Sequence, residues 1–177
     1  GRMPEQLNEF MVYCIGKAYA RVMKPQAPIA VGQDIRLSSK ALSQALISAL
    51  NSEGVTTVDI GLCGTEMIYF AAGQDHMGGG IMVTASHNPA DYNGLKMVKE
   101  GSRPISSDTG LGAIEQETIA LMSATTAPTT YTPTASLHTE QSVLAGYIAK
   151  LLALIDVANV KPRHVLVNGG NGCAGPF

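Results

Sequence analysis

The chain lacks an excess of charge of either sign, a paired set of cysteines and any long apolar run. Twelve Lys and Arg against fourteen Asp and Glu leave a net charge of −2, with charged residues at 15%. Without a basic surface nothing favours nucleic acid or an anionic membrane, so a site for an anionic ligand has to be local. Cys14, Cys63 and Cys173 are an odd, widely spaced set with neither CxxC spacing nor a His/Cys cluster. They indicate neither a disulfide framework nor a zinc site, and a reducing compartment is the natural reading. No stretch approaches the roughly 18 apolar residues of a membrane span, and the first residues are not a signal peptide. The expected location is the cytoplasm. An initiator methionine is also lacking: Gly1-Arg2 runs almost at once into a helical pattern, as if the chain were cut.

What is present suits one ordinary domain plus a remainder, because 45% hydrophobic residues are enough for a core. Leu7, Phe10, Met11, Cys14, Ile15, Ala18 and Val22 are spaced for one helix face. Pro28 to Gly32 reads as a strand, and Ser38 or Ser39 can cap a helix carrying Leu42, Ala45, Leu46, Ala49 and Leu50 that Gly54 closes. Val55 to Ile60 is the next strand, followed by a helix from Thr65, its cap, to Ala72. Gly79 to Thr84 is a third strand, and Leu95 to Val98 a short return strand. This alternation implies a three-layer α/β/α domain with a mixed, largely parallel sheet, followed by the beginning of a second α/β domain. The first domain runs over 1–123 and ends in a helix from Ser107 or Asp108 to about Met122, weakened by Gly110 and Gly112. A Thr/Pro/Ala-rich linker covers 124–138. The second domain, 139–177, opens with a helix from Thr139 that carries Leu144, Tyr147, Ile148, Leu151, Leu152 and Ile155, and continues as a strand at Arg163 to Val167.

Thr84-Ala85-Ser86-His87-Asn88-Pro89 follows directly on a buried strand and places a hydroxyl, an imidazole and an amide at its carboxyl end. Open α/β sheets bind ligands there. The same residues also suit a plain Ser/Asn/Pro turn. Lys96, in the middle of a short apolar strand, reads either as a proton-transfer group or as a lysine snorkelling from a strand edge. Arg36 can pair with a phosphate, or with Asp34 to hold the loop. Gly64-Thr65 can present N–H groups to an anion, or Thr65 merely caps. Gly170, Gly172 and Gly175 fit G-x-G-x-x-G, but a dinucleotide-binding module starting at the Gly170–Gly175 turn also needs a helix next and an acidic residue about 20 positions on. Neither exists before Phe177.

Thr84 to Pro89 followed by Asn93-Gly94-Leu95-Lys96 resembles the motif of the α-D-phosphohexomutase superfamily, the phosphomannomutases and phosphoglucomutases. The resemblance implies that Ser86 carries a phosphoryl group, that Lys96 shuttles protons to and from sugar hydroxyls, that His87 assists, and that Asn88 and Arg36 help to bind substrate. Phosphoserine at position 86 brings nearly two negative charges, so the expected cofactor is Mg²⁺, with Ser86 as its one ligand in this chain. The family's Asp-Gly-Asp-Gly-Asp-like metal loop does not occur here. Gln33 departs from the Gly-Arg-Asp-x-Arg form of relatives, while Asp34 and Arg36 match it. Gly1-Arg2 resembles the tail of a Tyr-Asp-Ile-Arg-Gly-like segment, whose strand and arginine are then missing. The implied partners are mannose 1-phosphate, mannose 6-phosphate and a hexose 1,6-bisphosphate. Gly64 to Phe70 and Tyr92 to Ser106 look most like bacterial phosphomannomutases that feed GDP-mannose synthesis. The implied chain is a fragment with little or no mutase activity alone.

Overall fold

The computed structural model describes residues 1–170 and residue 172. Its centre is β1 (Ile29–Gln33), in which Ile29, Ala30 and Val31 are all fully buried. A strand covered on both faces has to be apolar throughout, and this one is. It lies parallel between β2 (Thr57–Leu62) and β3 (Gly79–Val83). β4 (Leu95–Lys99) runs antiparallel to β3 and β5 (Arg103–Pro104) antiparallel to β4, whereas β6 (His138–Glu140) lies parallel to β2. The order is β5-β4-β3-β1-β2-β6, a mixed and mostly parallel sheet as expected.

Alternation along the strands sorts side chains into two cores. Ile29, Val31, Ile81 and Val83 join residues of α1 (Glu9–Met23), α2 (Ser39–Ser52) and α4 (Leu111–Ala124) on one face. Ala30 and Met82 join Met67, Ile68 and Ala71 of α3 (Thr65–Ala72) on the other. Leu144 and Tyr147 of α5 (Leu144–Leu152) pack against that second core, the Tyr147 ring edge-on to Phe70 at 5.7 Å. Three layers result. Gly32 lets them close up, because a Cβ on it would collide with the Cys63 thiol.

The helix ends differ from expectation. Asn8 caps α1 by accepting from the Met11 N–H at 3.0 Å, and Gly54 turns the chain at φ 80° beyond α2 as predicted. Neither Ser38 nor Ser39 makes a side-chain cap, because Ser39 gives its hydroxyl to Asp34 instead. Gly64, not Thr65, occupies the cap of α3. Before α4 there is a separate 3-10 turn at Ser107–Thr109, boxed by Ser106 and Thr109, and Gly110 at φ 135° breaks it from the helix.

Further along, residues 138–140, at the expected junction of linker and second domain, pair with Thr57, Val58 and Asp59 as the sixth strand. The helix expected from Thr139 begins at Leu144. The free edge of β2 explains this, since its backbone groups need partners and a short extended segment supplies them. The segment leading there is fastened, with Tyr131 against Tyr13 at 5.5 Å and the Thr134 N–H donating to Asn51 Oδ1 at 3.0 Å. Residues 163–167 form no strand and stand exposed, with no neighbouring strand to pair with. The dinucleotide turn therefore has no strand before it, while Cys173 and Gly175 lie outside the described residues. No helix among the described residues is long and apolar enough to cross a membrane.

Candidate active site

The carboxyl ends of β1, β2 and β3 open into one cavity of about 580 Å³. Asp34 and Arg36 follow β1, Cys63 and Thr65 follow β2, and Thr84 and Ser86 follow β3; all six line it. β1 leads off toward β2 while β3 leads off toward β4, so their loops part and leave a crevice.

Asp34 organises the walls. Its N–H continues the ladder by donating to the Val83 carbonyl at 3.1 Å. Its carboxylate accepts from the Arg36 N–H at 3.1 Å, from Arg36 Nε at 3.2 Å, from Ser39 Oγ at 2.5 Å and from Thr84 Oγ1 at 2.7 Å. Thr84 Oγ1 in turn accepts from the Ser86 N–H at 2.9 Å. This relay holds Ser86 at φ 54°, a left-handed conformation that a residue with a Cβ adopts only under constraint. The strain turns Ser86 out of the strand line, and its side chain is exposed toward the cavity.

Arg36 completes the constraint. Nη1 donates to the carbonyls of Pro89 at 2.5 Å and Tyr92 at 3.0 Å, and Nη2 to those of Ser86 at 2.9 Å and Asn88 at 2.7 Å. With Nε on Asp34, every N–H of the guanidinium is engaged. Expected to help bind substrate, Arg36 has no free donor for one and serves as the pin of the loop. Asn88 is similarly committed: Nδ2 donates to the Ala85 carbonyl at 2.8 Å and closes the turn on itself. Of the predicted residues, His87 is the one the structure sets beside the serine. Ser86 Oγ lies 3.4 Å from both of its ring nitrogens, at the long limit of a hydrogen bond.

Lys96 is not the buried lysine that its apolar neighbours suggested; it is exposed on β4. It stands opposite Met82 in the antiparallel register. Opposed residues share a sheet face, so Lys96 projects on the side to which Met82 lines the cavity. Gly64 and Thr65 border the cavity at the start of α3, where the Glu66 carboxylate folds back against Gly64 and already occupies the dipole end.

Three residues of this arrangement carried no role in the sequence reading: Thr84 and Ser39 as partners of Asp34, and Asn93. Asn93 is buried, and its Nδ2 donates to Ser38 Oγ and Ser39 Oγ at 2.9 Å each, tying the far end of the loop to the start of α2. A buried amide after a Pro-containing loop was the available signal, since such a group has to find partners.

Among the described residues no three His, Cys, Asp or Glu side chains come together as a metal centre. Ser86 Oγ with His87 lacks the carboxylates and carbonyls that Mg²⁺ takes, so the described residues do not fit a resident Mg²⁺.

Comparison with known proteins agrees with this geometry. Residues 1–125 match the family described as phosphoglucomutase/phosphomannomutase, alpha/beta/alpha domain I. The chain is 47% identical over 175 residues to the phosphohexose mutases protein of Xanthomonas campestris, covering 99% of this chain and 38% of the relative. It is 47% identical over 176 residues to a phosphomannomutase of Salmonella montevideo and 43% identical over 176 residues to that of Escherichia coli K12, with the same coverage. Among solved structures, a phosphomannomutase of Thermus thermophilus described as putative in its title superposes with a TM-score of 0.74 at 25% identity, over 89% of this chain and 35% of that one. A phosphoglucomutase/phosphomannomutase family protein of Burkholderia thailandensis gives 0.70 at 26% identity, over 86% and 33%. The chain spans 38% of the length of these curated relatives.

Proposed function

The chain belongs to the phosphoglucomutase/phosphomannomutase family, and on that premise we propose that Ser86 is a phosphoryl carrier. It exchanges its phosphoryl group with a hexose phosphate, mannose 1-phosphate or mannose 6-phosphate, through a hexose 1,6-bisphosphate. The observation that carries this reading is the placement of Ser86: exposed, left-handed and locked, on the wall of the largest of the described cavities. A rigidly held oxygen facing open volume is what in-line transfer requires, because positioning supplies much of the rate.

In the forward step the Oγ–P bond of phosphoserine breaks, and phosphorus forms a bond to the free hydroxyl oxygen of the hexose monophosphate. That hydroxyl gives up its proton and the departing Ser86 Oγ regains one. Lys96 takes up and returns the proton, and the His87 ring, 3.4 Å from Oγ, orients the phosphoryl group. Turned end for end, the bisphosphate returns its other phosphoryl group to Ser86 by the same exchange in reverse. Arg36 and Asp34 act on this step through the loop rather than by touching the sugar.

Turnover and sugar choice belong to the whole protein, and the chain by itself is proposed to have little or no mutase activity. The test is conversion of mannose 1-phosphate to mannose 6-phosphate by the full-length gene product with a bisphosphate activator, beside its Ser86→Ala variant. Loss of conversion in the variant is expected; an unchanged rate rejects the carrier.

A further inference from the structure

We propose a second site, for a phosphate-sized oxyanion, at the end of the sheet opposite Ser86. It is a cavity of about 270 Å³ where the chain enters β1 and β3 and leaves β4. A five-residue strand separates it from the Ser86 loop by roughly 15 Å.

Tyr19, on α1, is the observation that points to a ligand. Its side chain is 1% exposed and lines this cavity, and its Oη has no hydrogen-bond partner among the described residues. Buried hydroxyls are almost always paired, and an unpaired one is costly. Burial pushes the phenol up to about 12, so it remains a proton donor at any ordinary pH. Gly79 keeps the approach to this hydroxyl open, because a Cβ there would lie 3.1 Å from Oη.

The charges around it have the right sign. Lys24, Lys99 and Arg103 line the cavity, and none is in an ion pair among the described residues. Arg103 Nε is fixed on the Glu100 backbone carbonyl at 3.0 Å, which leaves its terminal N–H groups to face a ligand. Two carboxylates, Asp75 and Glu100, also line the cavity, so the cations outnumber the anions by one. One phenol, two ammonium groups and one guanidinium are donors that call for a ligand made of acceptors, and a compact oxyanion with several oxygens answers them.

Inorganic phosphate is the probe, titrated against chloride at matched ionic strength by calorimetry and thermal unfolding. Wild type and Ser86→Ala bind one phosphate at this site with the same Kd. Tyr19→Phe and Lys99→Met each weaken it about tenfold, the loss of one charge-assisted hydrogen bond. Without phosphate Tyr19→Phe unfolds at the same temperature as wild type or higher, since it removes only an unpaired hydroxyl; this variant decides the matter should Lys99→Met not fold. Wild-type affinity in Tyr19→Phe, or loss of binding in Ser86→Ala, overturns the proposal.

Discussion

Ser86 is held by a chain of four atoms that begins at a carboxylate. Asp34 accepts from Thr84, Thr84 accepts from the Ser86 N–H, and the left-handed backbone of Ser86 follows. Thr84 is 6% exposed, so neither of its bonds is readily replaced by water. We predict that Thr84→Val, which keeps the shape and removes the hydroxyl, destabilises the chain by about 1–3 kcal/mol in urea unfolding and speeds hydrogen exchange at the Ser86 amide. Equal stability and unchanged exchange would show that the loop is held otherwise. At this scale the grouping of Ser86, His87 and Asn88 was legible because it is local and follows a strand. The commitment of Arg36 to the loop was not, since its carbonyl partners lie 50 to 56 positions away and belong to the backbone, which has no residue-type signal.

Among elements, the helices on one face are bound by an ion-pair cluster. Glu53 accepts from Lys17 at 2.6 Å and from Arg21 at 3.0 Å, and Arg21 reaches on to Glu117 at 3.0 Å, so α1, α2 and α4 meet there. Burial alone would raise the Glu53 carboxyl, but hydrogen bonds and charges from Arg21 and Lys17 outweigh it and hold it below its ordinary range. A carboxyl lowered on folding adds stability that is full above its unfolded value, about 4.3, and disappears as pH falls through the folded one. We predict that Glu53→Gln is less stable than wild type at pH 7 and that the difference closes below about pH 4; a gap that persists in acid would contradict the assignment. The edge strand β6 depends on Asn51 at the end of α2, whose Nδ2 donates to the carbonyls of Val55 at 2.9 Å and Leu137 at 3.2 Å. Asn51→Ala is expected to cost about 2–3 kcal/mol by stranding these groups, and to release the Gln141 amide, bonded to Asp59 O at 2.9 Å, to fast exchange. Retained protection at Gln141 would show that β6 holds without Asn51. Elements with a strong hydrophobic period were legible, α3 to its last residue. β6 was not, because three half-exposed polar residues become a strand only when a neighbour's edge is free.

For the molecule as a whole, the layered α/β order followed from strand and helix alternating along the chain, whereas the sixth strand's return to the β2 edge is a long-range event that alternation does not encode. The two ends of the sheet now have distinct chemistry: a strained serine loop at one and a buried phenol among cations at the other. The central claim concerns the first. Its most direct test is peptide-mapped mass spectrometry of the chain after incubation with mannose 1,6-bisphosphate, with and without phosphatase. The account predicts one phosphate, on Ser86, removed by phosphatase and absent from Ser86→Ala; phosphate mapped to another residue, or a Ser86 that stays unmodified at saturating bisphosphate, would contradict it.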